Sequence, residues 1–519
     1  MPKVLVSFSF ILLIVLFSCK EAGTIDKRYT LKFKKSNIID LPFIGHGVQW
    51  SAYPHADSYE AEWGFLMTDE KWNELYKRLD FVNPHIIRVM DVSTWRYYKG
   101  LDVNNQPILD FNTQEVKSLY KVLDYCQKND ITVLFGEWGA PGLWKTDENP
   151  NNINRADDIR WVEMITKYLD HLIVEKGYTC IKYYNLVNEP NGYWASTNGD
   201  WEQWKAGYQM LNNALKSKGL DKYVTLAGPD AVTQWNHPTH PKKAEDWVYS
   251  TINDLDSITA LYDFHIYADQ ELIRTGNFQT YLTPFTTEVK KTKKPLILGE
   301  LGMKYSGDLK EENFKKGKAD PFAGPDDSSM FVYDYFYGVD MADAAIQSML
   351  AGVGGAVAWD LDDAMHTVGD LGEKSQLKKW GMWNILAEEF GDLEIDKTPR
   401  PWSYSWTLLC NLFPPNTKLY KPEFSIKNDS IRAIASVTNK SVTLAVVNQS
   451  KACKTFNIET EGLIKKQNLY MYEYVDGKRA LNADGFPVPS KAFEYNEDEV
   501  VNITVQPKSV VFLSSILLN

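Results

Sequence analysis

Two glutamates end apolar runs, and carboxylates are uncommon at such positions. Glu189 closes the run Ile181 to Glu189, and Glu300 lies near the end of the run Pro295 to Gly302. A carboxylate at the end of an apolar strand is costly to bury unless it meets water, a partner or a substrate. Two such groups, brought together, can act on one bond as a general acid and a nucleophile.

The surrounding pattern supplies the elements that would position them. From about residue 41 to 415, short apolar runs alternate with helical stretches, which is typical of βα units around a parallel sheet. Eight such runs are present: Phe43 to Trp50, His85 to Asp91, Ile131 to Trp138, Ile181 to Glu189, Tyr223 to Pro229, Ala260 to Tyr267, Pro295 to Gly302 and Gly355 to Asp360. Eight units favour a closed (β/α)8 TIM barrel, an α/β fold, over an open sheet. Reacting groups in such a barrel lie where strands end.

The pattern changes near residue 415. The last barrel helix is predicted to begin at Pro401, a good first-turn residue, and to end near Phe413. Residues 416–519 then show short alternating runs with turn-rich gaps, which predicts a C-terminal antiparallel β-sandwich. Because Tyr29 to Lys34 also alternates, residues 20–40 are interpreted as a linker with a possible N-terminal strand of that sandwich.

The N-terminus has the features of a targeting segment. Lys3 precedes the apolar run Val4 to Phe17, which is too short for an ordinary spanning helix. The run ends in Leu-Phe-Ser-Cys, which resembles a bacterial lipobox, so residues 1–19 are predicted to be a lipoprotein signal peptide with Cys19 as the lipidated residue. We expect an exported lipoprotein, held only by this anchor at the outer membrane or cell surface of a Gram-negative bacterium. An ordinary secretory signal is the alternative.

Composition excludes some classes of function. With 519 residues, a net charge of -12 and a pI near 5.3, the chain lacks the clustered positive charge that nucleic-acid binding requires. Aromatic residues make up 13%, which suits stacking on sugar rings or a large aromatic core. The other four cysteines show no metal-ligand spacing and are interpreted as buried apolar residues: Cys126, Cys180, Cys410 and Cys453. We therefore expect no metal and no cofactor.

The two glutamates and their surroundings resemble the clan A glycoside hydrolases, in which an Asn-Glu pair ends strand four and a glutamate ends strand seven. The matching residues are Arg88 in run two, Asn188 and Glu189 in run four, His265 and Tyr267 in run six, Glu300 in run seven and Trp359 in run eight. The pattern is closest to the family five cellulase and mannanase type and covers the whole barrel region. Run three departs from it, because it ends Gly-Glu-Trp-Gly where family five normally supplies a histidine.

The resemblance implies a retaining glycoside hydrolase that acts on a β-linked polysaccharide or its oligomers. Glu189 would be the acid/base and Glu300 the nucleophile. Arg88 and the Tyr267 hydroxyl would keep Glu300 ionised, and Asn188 would donate to the sugar 2-hydroxyl. A regular pleat points Asn188 and Glu189 to opposite faces, so the chain must bend there.

Further residues at strand ends are candidates for substrate binding. Trp359, His265 and Glu137 belong to this group. Glu137 is also the main rival of Glu189 and Glu300 for a catalytic role. Tryptophans that could form stacking platforms are Trp50, Trp95, Trp138, Trp144, Trp194 and Trp235. We interpret Asp360, Asp362 and Asp363 as solvated carboxylates or sugar-hydroxyl acceptors rather than calcium ligands. The long segment Gly302 to Gly338 is expected to shape one end of the cleft.

Two other classes of function are compatible with this fold. One is a glycan-binding lipoprotein on a barrel without activity, since fold does not dictate function. The other is a carbohydrate lyase, which would release an unsaturated product. The full set of site residues, with two strand-end glutamates, favours the hydrolase.

Overall fold

The computed structural model describes residues 28–53, 66–144, 149–365, 376–391, 394–496 and 499–518, and the signal segment with Cys19 lies outside these ranges. No helix within the described ranges is long and apolar enough to cross a membrane.

Eight parallel strands close into a barrel, which confirms the predicted fold class. In chain order they are β2 (Gly47–Gln49), β3 (Ile86–Asp91), β6 (Thr132–Glu137), β7 (Ile181–Asn185), β8 (Thr225–Val232), β9 (Thr259–Ala268), β10 (Leu296–Met303) and β11 (Ala356–Ala358). We refer to them as barrel strands one to eight. Each lies largely within one of the eight apolar runs, because strands covered on both faces are apolar throughout. Strand eight closes the ring by pairing with strands seven and one.

Helices cover the outside of the barrel. They are α1 (Asp69–Val82), α2 (Ser93–Arg96), α3 (Gln114–Lys128), α4 (Ile159–Asp170), α5 (Trp201–Ser217), α6 (Ala244–Leu255), α7 (Gln270–Arg274), α8 (Asn277–Lys290), α9 (Gly307–Ala319), α10 (Tyr335–Ala351), α11 (Ala387–Phe390) and α12 (Pro401–Leu412). The last helix begins at Pro401, as predicted, and ends before Pro414. A short hairpin of β4 (Tyr98–Leu101) and β5 (Pro107–Leu109) follows strand two.

The C-terminal region forms an antiparallel sheet that also includes the first strand of the described chain. Its strands are β1 (Tyr29–Ile39), β12 (Lys418–Phe424), β13 (Ile431–Val437), β14 (Val442–Asn448), β15 (Lys454–Glu459), β16 (Gln467–Tyr474), β17 (Lys491–Tyr495), β18 (Val501–Val505) and β19 (Ser509–Ser514). The nine strands form one sheet, in which β1 pairs antiparallel with β12 and parallel with β15. The sheet curls, so that β18 approaches β14 and β19 without pairing with them.

This sheet packs on the barrel through one of its two faces. In β14, Leu444 and Val446 join the inner core of the sheet, whereas Ala445 and Val447 join the core shared with the barrel. The same alternation follows from the pleat in β13 and β19. Helix α10 lies between barrel and sheet, and is therefore buried on nearly every side.

Candidate active site

Arg88, on strand two, is fully buried at the centre of the barrel mouth. Its Nη1 donates to Glu300 Oε1 at 2.6 Å and to Gln49 Oε1 at 3.0 Å. Its Nη2 donates to Asn188 Oδ1 at 2.7 Å and to Asp230 Oδ2 at 2.8 Å. One guanidinium thus ties together groups from barrel strands one, five and seven and from the loop after strand four.

Glu300 is buried on strand seven and receives a second strong hydrogen bond. The Tyr267 hydroxyl donates to its Oε2 at 2.5 Å, and His265 Nδ1 lies 3.5 Å from the same oxygen. His265 and Tyr267 are two residues apart on strand six, so the pleat turns both toward the site. Burial raises the pKa of Glu300 above its ordinary value and the nearby Glu189 adds to this, although His265, Arg88 and Tyr267 act in the opposite direction.

Glu189 lies on a sharp bend of the chain after strand four, which ends at Asn185. Its φ is 48°, in the left-handed region, and its N–H donates to the Asp230 carbonyl at 3.0 Å. The bend lets Asn188 and Glu189 both reach the barrel mouth, as the sequence required. The Glu189 carboxylate accepts from Trp194 Nε1 at 2.7 Å and lies 3.1 Å from His265 Nδ1.

The two glutamates approach each other closely. One carboxylate oxygen of Glu189, one of Glu300 and one ring nitrogen of His265 lie within 4.8 Å of one another. In retaining glycosidases the two carboxyl groups are about 5 to 5.5 Å apart, whereas inverting enzymes separate them by about 6.5 to 9.5 Å to admit a water. The pair therefore falls on the retaining side of this division.

The same three groups lie close enough together to share a metal ion, but both ring nitrogens of His265 already face carboxylates. Burial lowers the pKa of His265. The nearby carboxylates of Glu300 and Asp230 have a larger effect in the opposite direction, so the pKa is raised to about 10. Its Nε2 lies 2.8 Å from Asp230 Oδ1 and its Nδ1 faces Glu189. An imidazolium has hydrogens on both nitrogens and no lone pair for a metal. The donor set fits proton chemistry better than metal binding.

Asp230 is the residue of this site that sequence reasoning missed. Its carboxylate accepts from Arg88 and, at 2.7 Å, from Asn185 Nδ2, and it pairs with His265. Burial opposes its ionisation, but Arg88 and His265 keep its pKa below the ordinary value. The neighbouring Asp263 is buried beside it, and its pKa is raised well above normal. Asp230 follows run five directly, so the strand-end criterion that selected the two glutamates would also have selected it.

Glu137 and Trp50 are not brought to the site, which corrects two predicted binding residues. Glu137 Oε1 and Oε2 accept from the core residues Tyr97 and Trp161 at 2.6 and 3.2 Å, and burial raises its pKa to about 8. Trp50 is fully buried and packs against Trp72. Both side chains alternate with neighbours that face the barrel axis, so the pleat turns them toward the helices.

The acidic cluster after strand eight is buried rather than solvated, contrary to expectation. Asp362 accepts from the Tyr53 hydroxyl at 3.0 Å, from Trp383 Nε1 at 3.1 Å and from two backbone N–H groups. Asp363 forms an ion pair with the buried Arg400. These two carboxylates hold the loops after strand eight in place and have no oxygen to offer a sugar.

Aromatic residues lie on two sides of the mouth. Trp138 and Trp359 follow strands three and eight and meet edge to face, with ring centroids 5.9 Å apart. On the other side Trp194, which contacts Glu189, packs against Trp235 at 5.0 Å and Tyr193 at 4.9 Å. Trp235 and Tyr193 are 52% and 60% exposed, so both present ring surface to a substrate, and Lys304 lies over the Trp235 ring at 5.5 Å.

A cavity of about 560 Å³ lies beside Tyr267, whose hydroxyl donates to Glu300. Much of its wall comes from the segment Gly302 to Gly338, which was expected to shape one end of the cleft. That segment contains α9, a short 3-10 helix at Met330–Tyr333 and several cavity-lining residues.

Two converging carboxylates at the barrel mouth, from Glu300 buried on strand seven and Glu189 partly buried after strand four, form an arrangement typical of O-glycosyl hydrolases. The cellulase (glycosyl hydrolase family 5) model matches residues 45–319, which is more than half of the chain. The chain belongs to glycosyl hydrolase family 5, within clan A.

Solved structures show the same fold at low sequence identity. A GH30 endoxylanase from Clostridium papyrosolvens is 11% identical with a TM-score of 0.57, covering 94% of this chain and 99% of that one. A GH39 β-xylosidase from Caulobacter crescentus is 14% identical with a TM-score of 0.56, over 94% and 99% of the two chains. A conserved exported protein from Bacteroides fragilis is 13% identical with a TM-score of 0.58, over 93% and 100%. A search of the curated proteins finds no match.

Asp230→Asn is expected to lower kcat by about 10²-fold, the scale associated with a small misplacement of reacting groups. The change removes the charge that pairs with Arg88 and His265 but keeps the side-chain size. Steady-state kinetics on an aryl glycoside that the wild type hydrolyses would measure it, with circular dichroism to verify folding. Asp254→Asn, at an exposed carboxylate that pairs with Lys205, is the matched control. A folded Asp230→Asn enzyme with unchanged kcat would contradict this role.

The pH profile should show the raised pKa of Glu300. A nucleophile must be ionised, so kcat/KM falls as pH drops through this pKa, and the acid limb should lie above the ordinary value of about 4.3. Tyr267→Phe removes a donor to the carboxylate and should move the limb up by about one unit, equivalent to a charged hydrogen bond of about 1.5 kcal/mol.

Tyr262→Phe is the control for this measurement. Tyr262 lies on the same strand, but its hydroxyl donates to Asp256 at 2.6 Å, away from the glutamates. Rates measured from about pH 3.5 to 8 should give wild-type and Tyr262→Phe profiles that coincide. If Tyr267→Phe leaves the acid limb of the profile in place, that limb reports the titration of a group other than Glu300.

Proposed function

We propose that this protein is a retaining glycoside hydrolase that cleaves β-linked polysaccharide or oligosaccharide by double displacement. Glu300 is the nucleophile and Glu189 the acid/base. The observation that carries the proposal is the pair of carboxylates within 4.8 Å of each other, in surroundings that differ. Such spacing leaves no room for a water between Glu300 and an anomeric carbon.

In the first step a Glu300 oxygen attacks the anomeric carbon, and the bond from that carbon to the leaving oxygen breaks. Glu189 gives its proton to the leaving oxygen, so the sugar departs as a neutral alcohol and a covalent glycosyl-enzyme remains. In the second step Glu189, now a carboxylate, takes a proton from water while that water attacks the anomeric carbon. Glu300 leaves as a carboxylate, and both glutamates return to their starting states.

The surroundings of each glutamate support these roles. Glu300 receives hydrogen bonds from Arg88 and Tyr267, which favour the ionised nucleophile and its departure in the second step. Glu189 is less enclosed than Glu300, so its carboxyl group can reach both the leaving group and water. Asn188 is fixed by Arg88 through its carbonyl oxygen, and its amide nitrogen is left to donate to a sugar hydroxyl.

Support for a β-linked substrate comes from family and neighbours. The family model carries the name cellulase, and two of the neighbouring structures are named as an endoxylanase and a β-xylosidase. The exposed rings of Trp235 and Tyr193 offer stacking surfaces of the kind that sugar rings use. β-glucans, xylans, mannans and galactans therefore form the first panel for product-resolved screening.

Glu189→Ala should lower turnover by about 10² to 10⁴ on a natural leaving group, the usual scale of general-acid assistance. The loss should be much smaller on an activated aryl glycoside, because its leaving group needs no proton. Glu300→Ala should lose activity on both substrates, and early NMR spectra of wild-type products should show the same anomer as the substrate.

Glu137→Gln is the control, since Glu137 is buried in the core and its pKa of about 8 leaves it largely protonated at neutral pH. Its activity should match the wild type. First-formed product of inverted configuration, or equal losses for Glu189→Ala on both substrates, would contradict the assigned roles. A wild-type protein that binds glycans from the panel but cleaves none would support the glycan-binding alternative.

We also propose that the protein is exported and anchored by lipid at Cys19. The support is the lipobox-like sequence Leu16 to Cys19 after the apolar run. Cys19→Ser should release the protein from the membrane fraction, because stable anchoring needs more than one acyl chain. Cell fractionation with immunoblotting measures this, and Cys180→Ser serves as a control at a free cysteine outside the signal. A wild-type protein found in the soluble fraction would contradict the anchor.

A further inference from the structure

The cavity beside Tyr267 combines aromatic and cationic groups. Its wall includes Trp235 after strand five, Tyr267 on strand six, Lys304 after strand seven and Lys310 on α9. Trp380 closes the wall, with its ring edge to face with that of Tyr267 at 5.6 Å. At about 560 Å³, the cavity falls within the usual range for small-ligand sites, about 300 to 1,000 Å³.

The position of the cavity assigns it to the leaving-group side of the site. Trp235 packs on Trp194, whose indole N–H donates to Glu189. Because the acid/base protonates the leaving oxygen, the sugar beyond that oxygen lies on the Glu189 side. Tyr267, which contacts Glu300, forms the boundary between this cavity and the reacting centre.

Two lysines give the cavity its charge. The Lys304 ammonium lies over the Tyr267 ring at 5.0 Å and over the Trp235 ring at 5.5 Å. Among the ion pairs of the described chain, neither Lys304 nor Lys310 has a carboxylate partner within 4.0 Å, although Asp326 also lines the cavity. Many other lysines of this acidic protein are paired, as Lys316 on α9 is with Asp334. The wall thus carries two ammonium groups with which a bound anion could pair.

We propose that this cavity binds an anionic sugar residue, bearing a carboxylate or a sulfate, on the leaving-group side of the substrate. The inference rests on the proposed hydrolase function. Trp235 and Tyr267 provide aromatic walls for the sugar ring, and the Lys304 ammonium, which lies over both rings, supplies a positive charge for an anionic substituent. A neutral sugar could contact the aromatic walls, but would leave both ammonium groups without an anionic partner.

The test compares oligosaccharides of the hydrolysed polysaccharide in three forms: neutral, oxidised to uronate at C6, and sulfated at C6 on the leaving-group residue. Wild type should show kcat/KM about 10-fold higher for at least one anionic form, as charge-assisted hydrogen bonds are worth more than neutral ones. The preference should shrink at about 1 M NaCl, where the Debye length is about 3 Å. The uronate and sulfate arms distinguish the two sources of charge.

Lys304→Met keeps the length of the side chain but removes its charge, and it should abolish most of the preference. Lys310→Met should reduce the preference, and Lys315→Met, an exposed change on the same helix outside the cavity wall, should leave it intact. On a neutral aryl glycoside, kcat/KM of Lys315→Met should stay within about twofold of the wild-type value. Circular dichroism verifies the folding of all three variants.

The outcomes separate this inference from the proposed function. Failure of the wild type to hydrolyse any aryl glycoside or oligosaccharide would overturn the hydrolase proposal itself. Normal hydrolysis with equal rates on neutral and anionic forms would overturn only the anionic site. A preference for anionic forms that survives both Lys304→Met and Lys310→Met would also overturn it, because other groups would then recognise the charge.

Discussion

The active site is organised by a positive charge that has no contact with water. The Arg88 guanidinium is fully buried, and burying an ion costs several kcal/mol unless partners compensate it. Its partners are two carboxylates, from Glu300 and Asp230, and the amide oxygens of Asn188 and Gln49. Since removing one member would strand a charge, the groups hold one another in a single arrangement.

This arrangement also decides the states of the other titrating groups. Asp230 is kept ionised by Arg88 and His265, and in turn its charge helps to keep His265 protonated. The imidazolium then lies between the two glutamates, close to both. The roles proposed for the two glutamates rest on the difference in their surroundings, because Glu300 accepts from Arg88 and Tyr267, whereas Glu189 accepts from Trp194.

Much of the fold and of the reacting pair could be predicted from sequence, because both depend on patterns along the chain. All eight barrel strands lie largely within their apolar runs, and Glu189, Glu300, Arg88, His265 and Tyr267 meet at the mouth. Side-chain direction was harder to predict. Glu137 also ends a strand, but the pleat turns its side chain into the core. A run of apolar residues does not show which of its members face the barrel axis and which face the helices. The predicted substrate-binding role of Trp50 was wrong for the same reason.

Other misses have a different physical origin. Asp230 directly follows run five and so fits the strand-end pattern, but its role as the partner of Arg88, Asn185 and His265 depends on residues far away in sequence. The carboxylates Asp362 and Asp363 looked solvated, because a sequence does not show that Tyr53, Trp383 and Arg400 enclose them. Networks of this kind join residues more than fifteen positions apart, which local patterns do not encode.

Because α10 is buried between barrel and sheet, neither region has a complete hydrophobic core without the other. A carbohydrate-binding module joined by a linker can be moved from one enzyme to another, because its surface is complete without its neighbour. Here the barrel-facing side of the sheet completes the core around α10, and the sheet takes one of its interior strands, β1, from the start of the described chain. Recombination that exchanged only the C-terminal hundred or so residues would leave β1 without its partners and α10 exposed. Changes in specificity are therefore open to the loops at the barrel mouth, while the sheet is inherited together with the barrel.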